Sequence, residues 1–306
     1  MNTTTVSPLP ARTAHKFFSI GRVSAITGNT LLELVRLKVF YFLLLFALLI
    51  IGGAGFTSLF DFQIQEQLQI LKDVSLGSMS IFTLLLSILA TAMMLPKDIE
   101  DRTLYTILAK PVPRFEYMMG KLFGIFSLLL ISILIMSAMF VAALYAKQQM
   151  LIGTTLRQSA GFPPEQVQAM VNDVKSQTFT VSLIPCVIAI YLKATLFSAF
   201  TMLISTFATS TIFTIFIAFT AYFIGSVEGV AREYLYSPGG GSDTAKNLMG
   251  LVALFFPDLQ LFNLVDDIVA GNSIALDLFM RTAGLGVVYT FVYSFVAYVV
   301  FAFKEL

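Results

Sequence analysis

Few side chains in this chain of 306 residues have the chemistry for catalysis. Its one histidine, His15, and one cysteine, Cys186, exclude a His-built metal site and an internal disulfide framework. No Ser/His/Asp, Cys/His or paired-carboxylate constellation appears, so nothing in the sequence supports an enzyme active site. Asp266-Asp267 could bind a cation, but a solvated outer-surface pair is the simpler account. Met93-Met94, Met118-Met119 and Met136 with Met139 offer soft thioethers of the kind that suit copper. Thirteen methionines in an apolar chain are also ordinary packing residues, and packing is the simpler account. The residue that stands out is Lys193, the only charge in the stretch 176–227. A charge at bilayer centre costs about 2.5–3.5 kcal/mol on insertion scales, so it must face a cavity, pair, or snorkel to an interface. Two readings stay open: snorkelling near a span end, or lining a substrate path.

The elements that must hold these residues are set by composition. Apolar residues make 57% of the chain and charged ones 12%, with mean hydropathy +0.85. A soluble globule cannot hide that much apolar surface, so the solvent is largely lipid. The net charge of +1 leaves no basic footprint for nucleic acid. Uncharged runs at Val39–Phe60, Val74–Pro96, Leu122–Ala146 and Thr282–Phe303 each exceed the roughly 20 residues that cross hydrocarbon as a helix. The stretch 176–227 is long enough for two more, divided at Ser205-Thr206 to Thr209-Ser210-Thr211. Continuous runs rather than short alternating segments mean helices, not a barrel. The expectation is an all-α polytopic membrane protein with six transmembrane helices. They cover about 39–60, 74–96, 114–146, 179–204, 211–227 and 282–303. Residues 1–30 form a polar amino-terminal segment without a cleavable signal, and 31–306 form one membrane domain.

Lysine and arginine counts set the orientation. Arg12, Lys16, Arg22, Arg36 and Lys38 precede span one, and Lys97, Arg102, Lys110, Arg114 and Lys121 lie between spans two and three. Only Lys72 lies between spans one and two. Both termini are therefore expected in the cytoplasm, with span one as an uncleaved anchor. On the outer side, residues 59–71 read as an amphipathic surface helix, with Phe60, Ile64, Leu68 and Leu71 on one face. Pro163-Pro164-Glu165 reads as a helix start within the outer loop 147–175. Leu248–Phe256 and Leu259–Ala270 flank Pro257, are too short to cross, and read as a re-entrant or interfacial pair. Tyr145, Tyr222, Tyr41 and Tyr117 fit interfacial belts.

The segment from Pro96 to Arg114 carries the most information. Asp101 can cap a helix, Leu104, Ile107 and Leu108 form an apolar stripe at helical spacing, and Pro111 ends it. Pro113 can then open span three. This is a short amphipathic helix on the cytoplasmic surface, serving as a plain connector or as a docking surface for a partner.

The stretch DIEDRTLYTILAKPVPRFEYMMGKLFG, residues 98–124, resembles the coupling-loop region of ABC exporter permeases of the second export type. The matching features are Glu100, Thr103-Leu104, Ile107-Leu108, Pro111-Val112-Pro113-Arg114 and Gly120-Lys121. Glu33–Phe40 resembles that family's interface helix running into span one. Leu203–Phe207 resembles its turn between spans four and five, and Phe256–Asn263 the segment before its last span. The nearest branch is the one linked to multicopper-enzyme maturation. The resemblance implies a permease subunit of an ATP-driven exporter in a bacterial cytoplasmic membrane. It would be paired with a second permease copy or a homologue, embedded in lipid, and driven by cytoplasmic ABC ATPase subunits. It implies that Glu100, Asp101, Arg102, Leu104, Ile107 and Leu108 form the ATPase-coupling contact, and that Glu33, Arg36 and Lys38 lie on the interface helix. The chain has no Gly-x-x-x-x-Gly-Lys-Ser/Thr loop, since Gly120-Lys121-Leu122 lacks both the upstream glycine and the hydroxyl. No cofactor is expected in this chain, and ATP and Mg would be bound by the partner subunit. An ion-coupled secondary carrier, the main rival, would want several intramembrane charges and inverted repeats. A membrane enzyme or assembly scaffold would want paired polar groups at one depth, and none is visible.

Overall fold

The computed structural model describes residues 18–55, 64–100, 112–159, 162–208, 210–237, 242–256, 258–265, 268 and 275–303, with the backbone alone at 64–65, 95–100 and 251–255. The described residues are helical and include no strand. In chain order the helices are α1 Ile20–Val35, α2 Lys38–Ala54, α3 Ile64–Glu100, α4 Arg114–Gln158 and α5 Pro164–Thr178. They continue as α6 Leu183–Phe207, α7 Thr211–Tyr236, α8 Asp243–Phe255, a single 3-10 turn at Gln260–Phe262, and α9 Leu276–Phe303. The protein is an all-α polytopic membrane protein. Five helices, α3, α4, α6, α7 and α9, are long and apolar enough to cross a bilayer, and the bent pair α1–α2 supplies a sixth candidate.

Several elements differ in extent from the sequence expectation. The amphipathic piece begun near residue 59 is not a separate helix: from Ile64 it forms the first turns of α3, whose 37 residues run unbroken for about 55 Å. Residues 59–63 lie outside those described. The stretch 147–175 is not a loop. The helix of span three continues through it to Gln158, and α5, opened by Pro164 at its first turn, packs back against it. Leu68, Leu151 and Val174 close that small three-helix cluster. Hydropathy marks where a helix leaves lipid, but nothing there need break the backbone, since Lys147 to Gln158 has no proline.

The helix leading into span one is also longer than Glu33–Lys38. It is α1, starting at Ile20, and it meets α2 at 67°. The corner is Arg36-Leu37, where Leu37 is extended at φ −67°, ψ 128°. Glu33 thus lies on α1, Arg36 caps it, and Lys38 opens α2.

At the centre stands α6, packed on α3, α4, α7 and α9. It runs in the same direction as α3. Lys72 donates to the Gln177 carbonyl at 2.7 Å near one end, and Ser87 donates to the Ala194 carbonyl at 2.7 Å near the middle. One core joins Ile51, Leu71, Met79, Phe140, Cys186 and Ile190, and a second joins Phe40, Leu86, Leu128 and Ala194. The flanking helices α7 and α9 turn large apolar residues outward, among them Phe216 at 69% and Phe291 at 71% exposure, as lipid contact requires.

Candidate functional site

One candidate site lies at the end of the bundle where α3 finishes and α4 begins. Glu116, in the first turn of α4, is buried. Its Oε2 accepts from Arg22 Nε at 2.5 Å, and its Oε1 accepts from the second guanidinium nitrogen at 2.7 Å and from the Ser19 amide at 2.8 Å. This fork ties the start of α1 to the start of α4. Beyond it the two helices touch backbone to backbone. A Cβ on Gly120 would lie 2.7 Å from Ile26, and one on Gly124 would lie 2.3 Å from the Thr30 methyl. The spacing Gly120-x-x-x-Gly124 is what lets α1 seat in that groove. Thr27 donates to the Gly120 carbonyl at 3.2 Å, and Lys121 pairs with Glu33 at 3.6 Å.

Arg114, the first residue of α4, reaches the other way. It donates to the Phe301 and Ala302 carbonyls at 3.1 and 2.8 Å, satisfying two carbonyls of the last turn of α9. Tyr117 stacks on Phe301 with centroids 6.1 Å apart, and Met118, Leu122 and Met202 fill in around them. The opening turns of α4 therefore hold α1 on one flank and the end of α9 on the other. Tyr117 is buried at 1% exposure, so it is a packing residue here and not a member of an interfacial belt.

A second candidate site lies toward the opposite end. It is a half-open cavity of about 330 Å³ between α3, α6, α7 and the segment 259–265. Lys193 lines it, about 15 Å along α6 from Leu183. Lys193 is 9% exposed, and its ammonium sits 5.5 Å from the centroid of the Tyr222 ring. Tyr222 is thus the support of a buried cation rather than a belt residue. The cavity wall on α3 carries Asp73 and Ser80. Its roof comes from the segment 259–265, part of the pair that the sequence marks as re-entrant or interfacial. The Leu259 amide donates to the Gly225 carbonyl at 3.1 Å, and Gln260 donates to the Ser226 carbonyl at 3.0 Å. Phe262 then presses against Gly286 of α9, where a Cβ would lie 2.9 Å away.

Comparison with known families decides what this architecture belongs to. The family model described as ABC-2 family transporter protein matches residues 24–306, nearly the whole chain. The chain belongs to that family. This ABC-2 permease has no match among curated proteins.

Within the permease, the residues expected to couple to an ATPase fall partly outside those described. Glu100 ends α3, with its backbone alone described, and Asp101, Arg102, Leu104, Ile107 and Leu108 lie outside the described residues. Asp266-Asp267 and His15 also lie outside them. Glu33 and Lys38 lie on either side of the 67° corner between α1 and α2. Glu33 pairs with Lys121 of the Gly-Lys motif, which gives that motif a packing reason. Met94, Met118 and Met136 are buried in apolar cores. Sequence reasoning missed Arg22–Glu116 and the seating of α1 in the glycine groove. The small-x-x-x-small spacing at 120–124 was the signal for the latter, while no local pattern pairs residues 22 and 116.

Proposed function

We propose that this ABC-2 permease is the membrane subunit of an ATP-driven exporter in a bacterial cytoplasmic membrane. Both termini lie in the cytoplasm, and two permease chains stand on two cytoplasmic ABC ATPases that bind ATP and Mg. The segment 101–109 is the surface that the ATPase grips, through Leu104, Ile107 and Leu108, with Glu100, Asp101 and Arg102 at its edge.

The observation that carries this reading is the double anchorage of the first turn of α4. Helix α4 starts directly after the connector. Its Glu116 is bonded to Arg22 of α1, and its Arg114 to the last carbonyls of α9. A push on the connector therefore reaches the end of α3 and the start of α4, and through those bonds moves α1 and α9 with them. An ATPase needs such a rigid input, because a connector tied to one helix alone would bend without moving the bundle. The positive residues clustered at this end support its cytoplasmic placement.

The test is the composition of the complex. The tagged chain, expressed with its native neighbouring genes and purified in mild detergent, should bring down an ABC ATPase in equal molar amount and hydrolyse ATP. A preparation that stays free of any nucleotide-binding subunit while remaining folded and active in transport would contradict the proposal and favour an ion-coupled carrier.

A further inference from the structure

The Lys193 cavity lies within one permease chain and away from the coupling end. We propose that it is a binding site for the singly charged oxyanion group, carboxylate or phosphodiester, of a small organic acid or a lipid headgroup. The inference does not rest on the coupling reading, because it concerns binding by the permease alone.

Three observations carry it. First, the Lys193 ammonium has three donors, and among the described residues it has no hydrogen-bond acceptor and no ion-pair partner. Its one neighbour of note is the Tyr222 ring, which steadies a cation without consuming its donors. A lysine more than nine-tenths buried and lining a cavity is costly unless something complements it. Second, the surrounding polar groups suit an oxyanion. Ser80 can donate from α3, while Ile81 and Leu259 supply apolar wall for a carbon skeleton. The volume of about 330 Å³ is at the small end of ligand pockets. Third, the charge is limited to one. Lys193 is the one cation among the described lining residues, and exposed Asp73 stands on the α3 wall two turns from Ser80, about 10 Å along the helix. Its carboxylate repels a dianion entering the cavity more strongly than a monoanion.

The experiment uses the full-length permease in nanodiscs of phosphatidylcholine, with 4-fluorobenzoate as probe, followed by fluorine NMR saturation transfer. Wild type should bind, and acetate should displace the probe. Lys193→Met should weaken binding by about tenfold or more, while Lys193→Arg, which keeps the cation, should stay within about threefold. All three proteins must show the same thermal unfolding. Discs containing phosphatidylglycerol distinguish the two sources. If that lipid blocks the probe and co-purifies with wild type but not with Lys193→Met, the natural occupant is a lipid phosphodiester; unchanged probe binding assigns a soluble acid. Equal binding by wild type and folded Lys193→Met would overturn the proposal, as would absence of both probe and anionic-lipid binding in wild type. Displacement by sulfate as strong as by acetate would overturn the single-charge assignment.

Discussion

At the scale of residues, the account turns on Glu116. A buried carboxylate is tolerated only when its lone pairs are filled, and here a guanidinium fork and the Ser19 amide fill them. Glu116→Gln keeps the volume but replaces one acceptor with a donor aimed at other donors. The expected result is faster amide exchange over residues 19–26, by roughly tenfold, with little change in the core of α6. Arg22→Lys should do less harm, because it keeps a charge while losing the fork. Exchange that is unchanged in Glu116→Gln would show that α1 is held by packing alone. The neighbouring Lys121–Glu33 pair is longer and partly exposed, so it contributes under about 1 kcal/mol and is a poor target.

At the scale of elements, the glycine groove sets how α1 lies on α4. Gly124→Ala places a methyl 2.3 Å from the Thr30 methyl, with the Thr27 carbonyl also near at 3.2 Å. One helix must move, and the expected cost is about 1–3 kcal/mol, read as a lower midpoint of thermal unfolding. Gly153→Ala, in the same helix with nothing within 4 Å, should be neutral or stabilising by about 0.5–1 kcal/mol. Equal effects of the two would remove the groove from the account. This is also where sequence legibility divides. The spans were readable because lipid demands long apolar runs, and the break between α8 and the turn at Gln260–Phe262 was readable because Pro257 interrupts an apolar run too short to cross. Helix ends were not readable where hydropathy fades but helix propensity persists, as beyond Ala146 in α4. The role of Tyr222 was hidden for a different reason. Aromatic position along one span does not reveal a lysine contributed by another.

At the scale of the whole molecule, the connector 101–111 runs from α3 to α4, and the first turn of α4 is bonded to α1 and to the end of α9. In the proposed coupling, displacement of the connector would move α1 and α9 together with α4. The apolar stripe Leu104, Ile107 and Leu108 would bury about 1.5–3 kcal/mol per residue under a partner, enough for a docking contact and too little to hold the piece firmly in lipid. The most direct measurement is retention of the ATPase by the double variant Leu104→Asp with Leu108→Asp. The permease should insert and unfold as wild type does, since the helical bundle is untouched. Its ATPase should be lost on purification and transport should stop, because each aspartate would bury an unpaired charge at the contact. Val167→Asp with Val171→Asp, on α5 at the opposite end, should keep the ATPase. A Leu104→Asp, Leu108→Asp permease that retains its ATPase and transports normally would contradict the claim that this connector couples ATP hydrolysis to the bundle.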